Sequence, residues 1–453
     1  MKHLLTEEQL LFNIVKCFRE NRKKELFTII EELQPYDIAN VYEDIPQKFK
    51  SRFLLYLNNH LLADVIQEVE DTNLQYDILN KLPPEKKADI LDLMDNDDLA
   101  HLLHELPEEK AEALLSVMKH EESTIVQNIM TFPAETAGRL MTNRFVWIKD
   151  YYTVREAIDK LKNFASYAET ISYLYVIDEN RKLVGVVSYR DLLLAELDQK
   201  IKDIMFTRVI YVSAYTDQEE AAAILERYDF LALPVVDDNH ILLGIITFDD
   251  MLDVIIEEAN EDIEKLSASG KAIDFDTKAS VAAWRRLPWL VLLLVIGVLS
   301  GSIISYFEDT LSLVVALTFF MPMISGMTGN TGTQSLAVVV RGLAGQKVNK
   351  KEIFQLIYRE FLVGLLIGIV CGLLISAIAY LWQGNIYLGL VVGLSLLLTL
   401  IIGTLSGTII PLILYKINID PAIASGPLIT TLNDIFSLIT YFTIATLFLD
   451  YLL

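Results

Sequence analysis

Asp434 stands near the middle of an apolar stretch, residues 422–449, close to Thr430, Thr431 and Asn433. A carboxylate at the centre of a membrane helix costs roughly 2.5–3.5 kcal/mol on insertion scales, and no Lys or Arg lies at that depth to offset it. A second polar segment, Gly326-Met327-Thr328-Gly329-Asn330-Thr331-Gly332-Thr333-Gln334-Ser335, interrupts another apolar run. Polar, glycine-rich chain at membrane depth must be buried in protein or line water. Asp434, Asn330, Thr333, Gln334, Thr430 and Thr431 offer oxygen ligands, with no His cluster or thiolate pair among them. Such a set suits a hard cation such as Mg²⁺ better than Zn²⁺ or Cu⁺. The alternative is a protonated Asp434 hydrogen-bonded to Asn330 or Thr431. One carboxylate is a thin filter; two chains about a twofold axis would present a pair, holding Mg²⁺ through the waters it surrenders reluctantly.

The elements that must position these groups are membrane helices. The chain has 453 residues, a formal charge of −23 and a mean hydropathy of +0.37. From Arg285 onward there are eight basic and seven acidic residues, which leaves 30 bases against 54 acids for the rest of the 38 and 61. An acidic soluble half is therefore joined to a nearly uncharged apolar half. That argues against a single globular enzyme, a disordered tail protein and a nucleic-acid binder. Five stretches are long enough to span, at 288–307, 311–340, 361–382, 387–415 and 422–449, with breaks expected at Pro322, Pro411 and Pro427. Arg285/Arg286, the 341–359 basic cluster including Lys347, and Lys416 occupy alternate connections. This charge bias predicts a multi-pass plasma-membrane protein with its acidic half cytoplasmic and its C-terminus outside.

Gly297/Gly301, Gly364/Gly368/Gly372, Gly389/Gly393 and Gly403/Gly407 recur at four-residue spacing, which reads first as close helix packing. Cys17 and Cys371 form no disulfide framework or metal knuckle, consistent with a reducing interior. Residues 1–20 are amphipathic and charged, unlike a cleaved signal peptide.

Residues 1–130 read as short amphipathic helices broken at Pro35, Pro46, Pro83/Pro84 and Pro107, recurring as stacked pairs. His101 and His104 share a helix turn, a surface pair rather than a metal site. Between 139 and 260 the sequence repeats: 173–193 aligns without gaps on 232–252, with Asp178/Asp237, Asn180/Asn239, Gly185/Gly244 and Asp191/Asp250 among the identities. Each unit reads as helix, apolar strand, Asp-Asn turn, second strand ending in Gly, then helix. Met141-Thr142 upstream of the first answers Met205 upstream of the second. A long acidic helix follows, carrying Glu257, Glu258, Glu261, Asp262 and Glu264, and leads through 267–277 to the first span. Packed carboxylates repel by roughly 1 kcal/mol per pair at 4 Å even in water, and divalent cations relieve that repulsion.

The repeat resembles a tandem pair of CBS domains, which sense ligands without chemistry. Their adenosine-binding signature, Ser or Thr three residues before Asp, occurs at Ser188/Asp191 and Thr247/Asp250. The whole chain resembles the MgtE family of magnesium channels. The match rests on 135–142 (Glu-Thr-Ala-Gly-Arg-Leu-Met-Thr), on 329–335 (Gly-Asn-Thr-Gly-Thr-Gln-Ser) and on Asp434 after Thr430-Thr431. The resemblance implies an α-helical membrane protein of five spans (283–453). Before it would come a helical N-domain (1–135), two α+β CBS domains (136–200 and 201–255) and an acidic plug helix with its linker (256–282). It implies a homodimer in the lipid bilayer with Asp434 at a central Mg²⁺ selectivity site. It further implies closure when cytosolic Mg²⁺ bridges Asp97 of the N-domain, Asp217, Glu219, Asp229 and Asp250 of the CBS pair, and Glu258, Glu261 and Asp262 of the plug helix. Here His101 replaces an acid expected one turn beyond Asp97. The family's CBS pair also implies ATP as a modulator, at Tyr173, Arg190, Asp191 and Phe230; no Walker loop accompanies it. A broader divalent carrier and a non-conducting Mg²⁺ receptor are the competing readings. An enzyme is disfavoured, because no nucleophile–base set or metal triad is present.

Overall fold

The computed structural model describes residues 6–453 except 70, 166, 270–272, 274–276, 344–347 and 418. Lys347 and much of the 267–277 linker thus lie outside the described residues. The chain divides into two compact units, Met1–Val254 and Ile255–Leu453.

The first unit begins with ten short helices, from α1 (Glu7–Arg19) to α10 (His120–Met130). The prolines expected to break them start them instead: Pro35 and Pro84 sit in the first turn of α3 (Pro35–Asp44) and α7 (Pro84–Leu91). Proline's missing N–H is harmless there and its φ is already helical. Buried triplets at i, i+3, i+4 face one core: Ile38/Val41/Tyr42 in α3, Leu62/Val65/Ile66 in α5 (Asn59–Gln67), Leu99/Leu102/Leu103 in α8 (Asn96–Glu105). That core continues into Met141, Val235, Ile246 and Met251, so the helical layer is seated on the second half of the repeat.

The repeat follows as α11 (Ala137–Leu140), β1 (Phe145–Lys149), α12 (Val154–Phe164), β2 (Thr170–Ile177), β3 (Leu183–Ser188) and α13 (Tyr189–Leu194). Its second copy is α14 (Ile201–Ile204), β4 (Val212–Ser213), α15 (Gln218–Tyr228), β5 (Ala232–Val236), β6 (Leu242–Thr247) and the long α16 (Phe248–Ser267). Each half makes a three-stranded sheet whose first strand runs parallel, and whose third runs antiparallel, to the middle one. The Asp-Asn turns form as expected: Asp178 Oδ1 accepts from the Asn180 and Lys182 amides, and Asp237 Oδ1 repeats this with Asn239 and Ile241.

The expected glycine position is corrected. Gly185 and Gly244 lie inside their strands, opposite Val176 and Val235, rather than at the strand ends. They are small because the other half crosses them: a Cβ on Gly185 would meet Met205 Sδ at 2.6 Å, and one on Gly244 the Thr142 carbonyl at 2.6 Å. Thr142 bridges to Ile245, and Phe206 to Val186. The repeated Met141 and Met205 segments are therefore the swapped clasps of the pair.

The second unit takes in the end of α16, then α17 (Ala279–Tyr306), α18 (Glu308–Leu313), α19 (Leu317–Leu343), α20 (Lys350–Gln383) and α21 (Ile386–Lys416). A 3₁₀ turn (Pro421–Ile423), α22 (Gly426–Leu447) and α23 (Leu449–Leu452) complete it. Helices α17, α20, α21 and α22 are long and apolar enough to cross a membrane. Helix α19 has 27 residues, about 40 Å at 1.5 Å per residue, and its polar segment dilutes its hydropathy. It starts later than the expected 311 because residues 308–313 form their own short helix. Pro322 and Pro411 sit inside helices and break neither, a second correction. In an apolar setting a break in the helix would leave further backbone groups without partners, so the helix persists past the proline. Pro427 starts α22.

Glycines draw α19, α20, α21 and α22 together. A Cβ on Gly368 would lie 2.9 Å from the Leu397 carbonyl, and one on Gly403 2.7 Å from that of Thr328. Gly297 and Gly301 do not follow this pattern: in the single chain they meet nothing within 4 Å.

Candidate functional site

In the membrane unit, α19 and α22 cross antiparallel with matched contacts. The Tyr441 hydroxyl donates to the Leu317 carbonyl at 2.9 Å, Ser325 Oγ donates to Asp434 Oδ1, and Gly329 abuts Thr430. Asn433 is fully buried; its amide reaches the Thr328 carbonyl at 3.4 Å and its oxygen accepts from Ser406 on α21. Asp434 is half-buried, and its partner is Ser325 rather than Asn330 or Thr431. Thr430 and Thr431 turn their hydroxyls back to the Gly426 and Pro427 carbonyls. On α19, Gly326, Asn330 and Gln334 are exposed at i, i+4, i+8, and Thr333 is half-buried beside them. One polar stripe of the packed bundle is therefore left uncovered. Glu360, unforeseen in the sequence, is buried on α20, accepting from Ser335 at 2.8 Å and paired to Arg359 at 2.9 Å.

In the first unit the sequence-predicted Asp97 and Asp250 do meet, with Glu169 completing a group whose carboxylate oxygens lie within 4.8 Å of one another. Three elements supply them: the first turn of α8, the residue before β2, and the first turns of α16. Asp97 Oδ1 and Glu169 Oε2 are buried without a hydrogen-bond partner among the described residues. Asp98, Asp95, Asp64 and Glu68 crowd the same region, while Gln67 donates to both Asp95 and Asp98. Arg144 caps the backbone carbonyls of Asp92 and Leu93 and pairs with Asp95 at 3.0 Å, bolting this wall in place.

Burial is the main force on these acids. It pushes Glu169 up to about 8, with Asp250 adding repulsion, and Asp98 up to about 7 against the Gln67 hydrogen bond. It also drives Asp250 up to about 6 and Asp97 well above the usual carboxylate range. The helix N-terminus favours an anion at Asp97, but desolvation outweighs it. Because these groups hold protons more tightly when folded, their contribution to the metal-free fold is fully present below their ordinary range near pH 4 and is lost as pH rises through 6 to 8. With Mg²⁺ chelated, the first melting transition of the full chain should therefore fall by about 5 °C or more between pH 5.5 and 8. Added Mg²⁺ should restore more at pH 8 than at pH 5.5; a flat melting profile would refute this.

Other expected ligands stand apart. Asp217 caps α15 by accepting from the Glu219 amide at 2.9 Å, and Asp229 closes the same helix in a left-handed conformation. Asp217, Glu219 and Asp229 are all exposed, and they do not join the Asp97 group. His101 is exposed on α8, one turn beyond Asp97. In the second unit Lys265 bridges Glu261 and Asp420, each at 2.7 Å, while burial and then Asp420 raise the Asp262 carboxyl. Glu257, Glu261, Glu264 and Arg286 are among the residues lining a cavity of about 660 Å³. Glu258 shares α16 with them.

The two signature Asp residues of the repeat diverge. Ser188 donates to Asp191 at 2.6 Å and caps α13; Tyr173 pairs with Ser188 across the sheet, and Arg190 is exposed beside them. Phe230 belongs to the other half, stacked on Tyr228 at 5.5 Å. Thr247 makes the equivalent bond to Asp250, but Asp250 is drawn into the acidic group.

Comparison with known proteins covers both units. A family profile described as the MgtE intracellular N domain matches residues 20–135, the CBS domain profile matches 137–198 and 201–257, and the MgtE divalent cation transporter profile matches 321–444. The magnesium transporter MgtE of Bacillus subtilis (strain 168) is 58% identical over 445 residues, covering 98% of each chain. Two solved structures superpose on the first unit's fold. The soluble part of a magnesium transporter has a TM-score of 0.53 at 37% identity, over 56% of this chain and 99% of that one. The cytosolic domain of the Mg²⁺ channel MgtE in complex with ATP has a TM-score of 0.51 at 32% identity, over 54% and 99%. With all of its regions accounted for in order, the chain belongs to the MgtE family of divalent cation transporters and is not an enzyme.

Proposed function

We propose that the protein admits Mg²⁺ to the cytosol through a path between two membrane units paired as a homodimer, with Asp434 selecting the ion. The observation that carries this reading is the uncovered stripe Gly326, Asn330 and Gln334 alongside half-buried Asp434. Polar groups facing lipid are unfavourable, whereas a second copy laid against the stripe encloses a polar path. The charge bias of the connections supports a cytosolic acidic half and an external C-terminus. Cytosolic Mg²⁺ closes the path by neutralising the crowded acids: Asp97, Glu169 and Asp250 as one site, with Asp217, Glu219, Asp229, Glu258, Glu261 and Asp262 as further ligands. ATP modulates closure at Tyr173, Arg190, Asp191 and Phe230. Current through the reconstituted full chain should fall as Mg²⁺ on the side of the acidic unit rises. Absence of Mg²⁺ current at every concentration removes the proposal.

A further inference from the structure

We infer that Ser325 is a specificity-determining positioning residue, holding the Asp434 carboxylate in the orientation that distinguishes Mg²⁺ from other divalent cations. This rests on the reading of Asp434 as the selecting residue. Ser325 Oγ donates to Asp434 Oδ1, while Oδ2 makes no hydrogen bond among the described residues. One oxygen is thus committed to the protein and the other is left for the waters of a passing ion. A free Asp side chain at that point would turn about its own bonds and adapt to ions of different hydration size. A hydroxyl-anchored one presents a fixed acceptor.

The surrounding packing makes the anchor rigid. A Cβ on Gly329 would meet Thr430 Cγ2 at 2.9 Å, so α19 and α22 lie too close for the rung between Ser325 and Asp434 to slide. Asn433, the preceding residue, is locked from both sides by Ser406 and the Thr328 carbonyl. The only rotation left to Asp434 is its own side chain, and Ser325 removes it. Ser325 acts through Asp434.

The test is uptake by vesicles reconstituted with the full chain, measuring the Mg²⁺ concentration for half-maximal flux and the Mg²⁺/Co²⁺ flux ratio. Ser325→Ala is expected to raise the half-maximal concentration about tenfold, the scale of one hydrogen bond to a charged group, and to lower the ratio. Ser325→Thr, which keeps the hydroxyl, is expected to recover both. Should Ser325→Ala lower the melting temperature while both flux values stay at those of the parent, Ser325 is only structural and the inference is overturned. Should Ser325→Ala fail to fold, Ser325→Cys is read by the same two values, with the same outcome overturning the inference. Asp434→Ala run in parallel separates the two readings. If it conducts like the parent, the role of Asp434 falls and this inference with it; if it is silent while Ser325→Ala is unchanged, only the inference falls.

Discussion

Asp434→Ala is expected to abolish Mg²⁺ uptake by reconstituted vesicles, while the variant should elute and melt like the parent protein. The direction follows from what the carboxylate does in each state. In the bundle its side chain has one hydrogen bond among the described residues, from Ser325, so deleting it leaves little packing undone. With an ion present it is the one acid of α22, and Asn330, Thr333, Gln334, Thr430 and Thr431 contribute only dipoles. A carboxylate about 5 Å from a divalent ion at an effective dielectric near 20 contributes roughly 6 kcal/mol of attraction, several orders of magnitude in occupancy. Two such groups across a twofold axis would double it. Uptake should therefore drop at least 100-fold. Asp434→Asn is the sharper control, since it keeps the volume and the acceptor for Ser325 and removes only the charge. If the Asn variant conducts normally, charge is not what the site supplies.

How far these residues could be read from sequence depends on whether their signal is one-dimensional. Asp434 was legible because an ionised group in an apolar run is anomalous wherever the run folds. The tandem repeat was legible because its identities align without gaps, and its Met141 and Met205 segments turned out to be the clasps between halves. Ser325, Glu169 and Glu360 were not. Ser325 lies one residue before the conspicuous polar segment, and a serine in a membrane helix is unremarkable until its partner is known. Glu169 precedes a strand in a chain with 61 acids, and only its meeting with Asp97 and Asp250 singles it out. Asp191 and Asp250 stand in equivalent local sequence, each three residues after a Ser or Thr. What separates them is that α8 approaches one and not the other, a tertiary fact with no local trace. The proline breaks at Pro322 and Pro411 failed for a related reason, since tertiary packing in an apolar medium outweighs local propensity.

The triple variant Asp97→Asn, Glu169→Gln, Asp250→Asn should uncouple the soluble unit from Mg²⁺ altogether. Each change is isosteric, so the core around Leu99, Met251 and Ile246 stays filled, and the amides can hydrogen-bond one another where the carboxylates repelled. In chelator the variant should melt higher than the parent, because the parent must hold three acids, Asp97 buried among them, with carboxylate oxygens within 4.8 Å of one another. In Mg²⁺ the order should reverse or the two should meet. A site binding only the folded state gains about 2.7 kcal/mol at a hundredfold excess over its dissociation constant, worth about 5–10 °C for a unit of this size. The variant should show none of that shift, and its current should persist at Mg²⁺ concentrations that silence the parent. The melting and current readouts divide the alternatives. A lost thermal shift with normal closure would mean that this site binds Mg²⁺ but does not gate, leaving closure to Glu258, Glu261 and Asp262. A thermal shift equal to the parent's would mean that Asp97, Glu169 and Asp250 are not the ligands, whatever the current does.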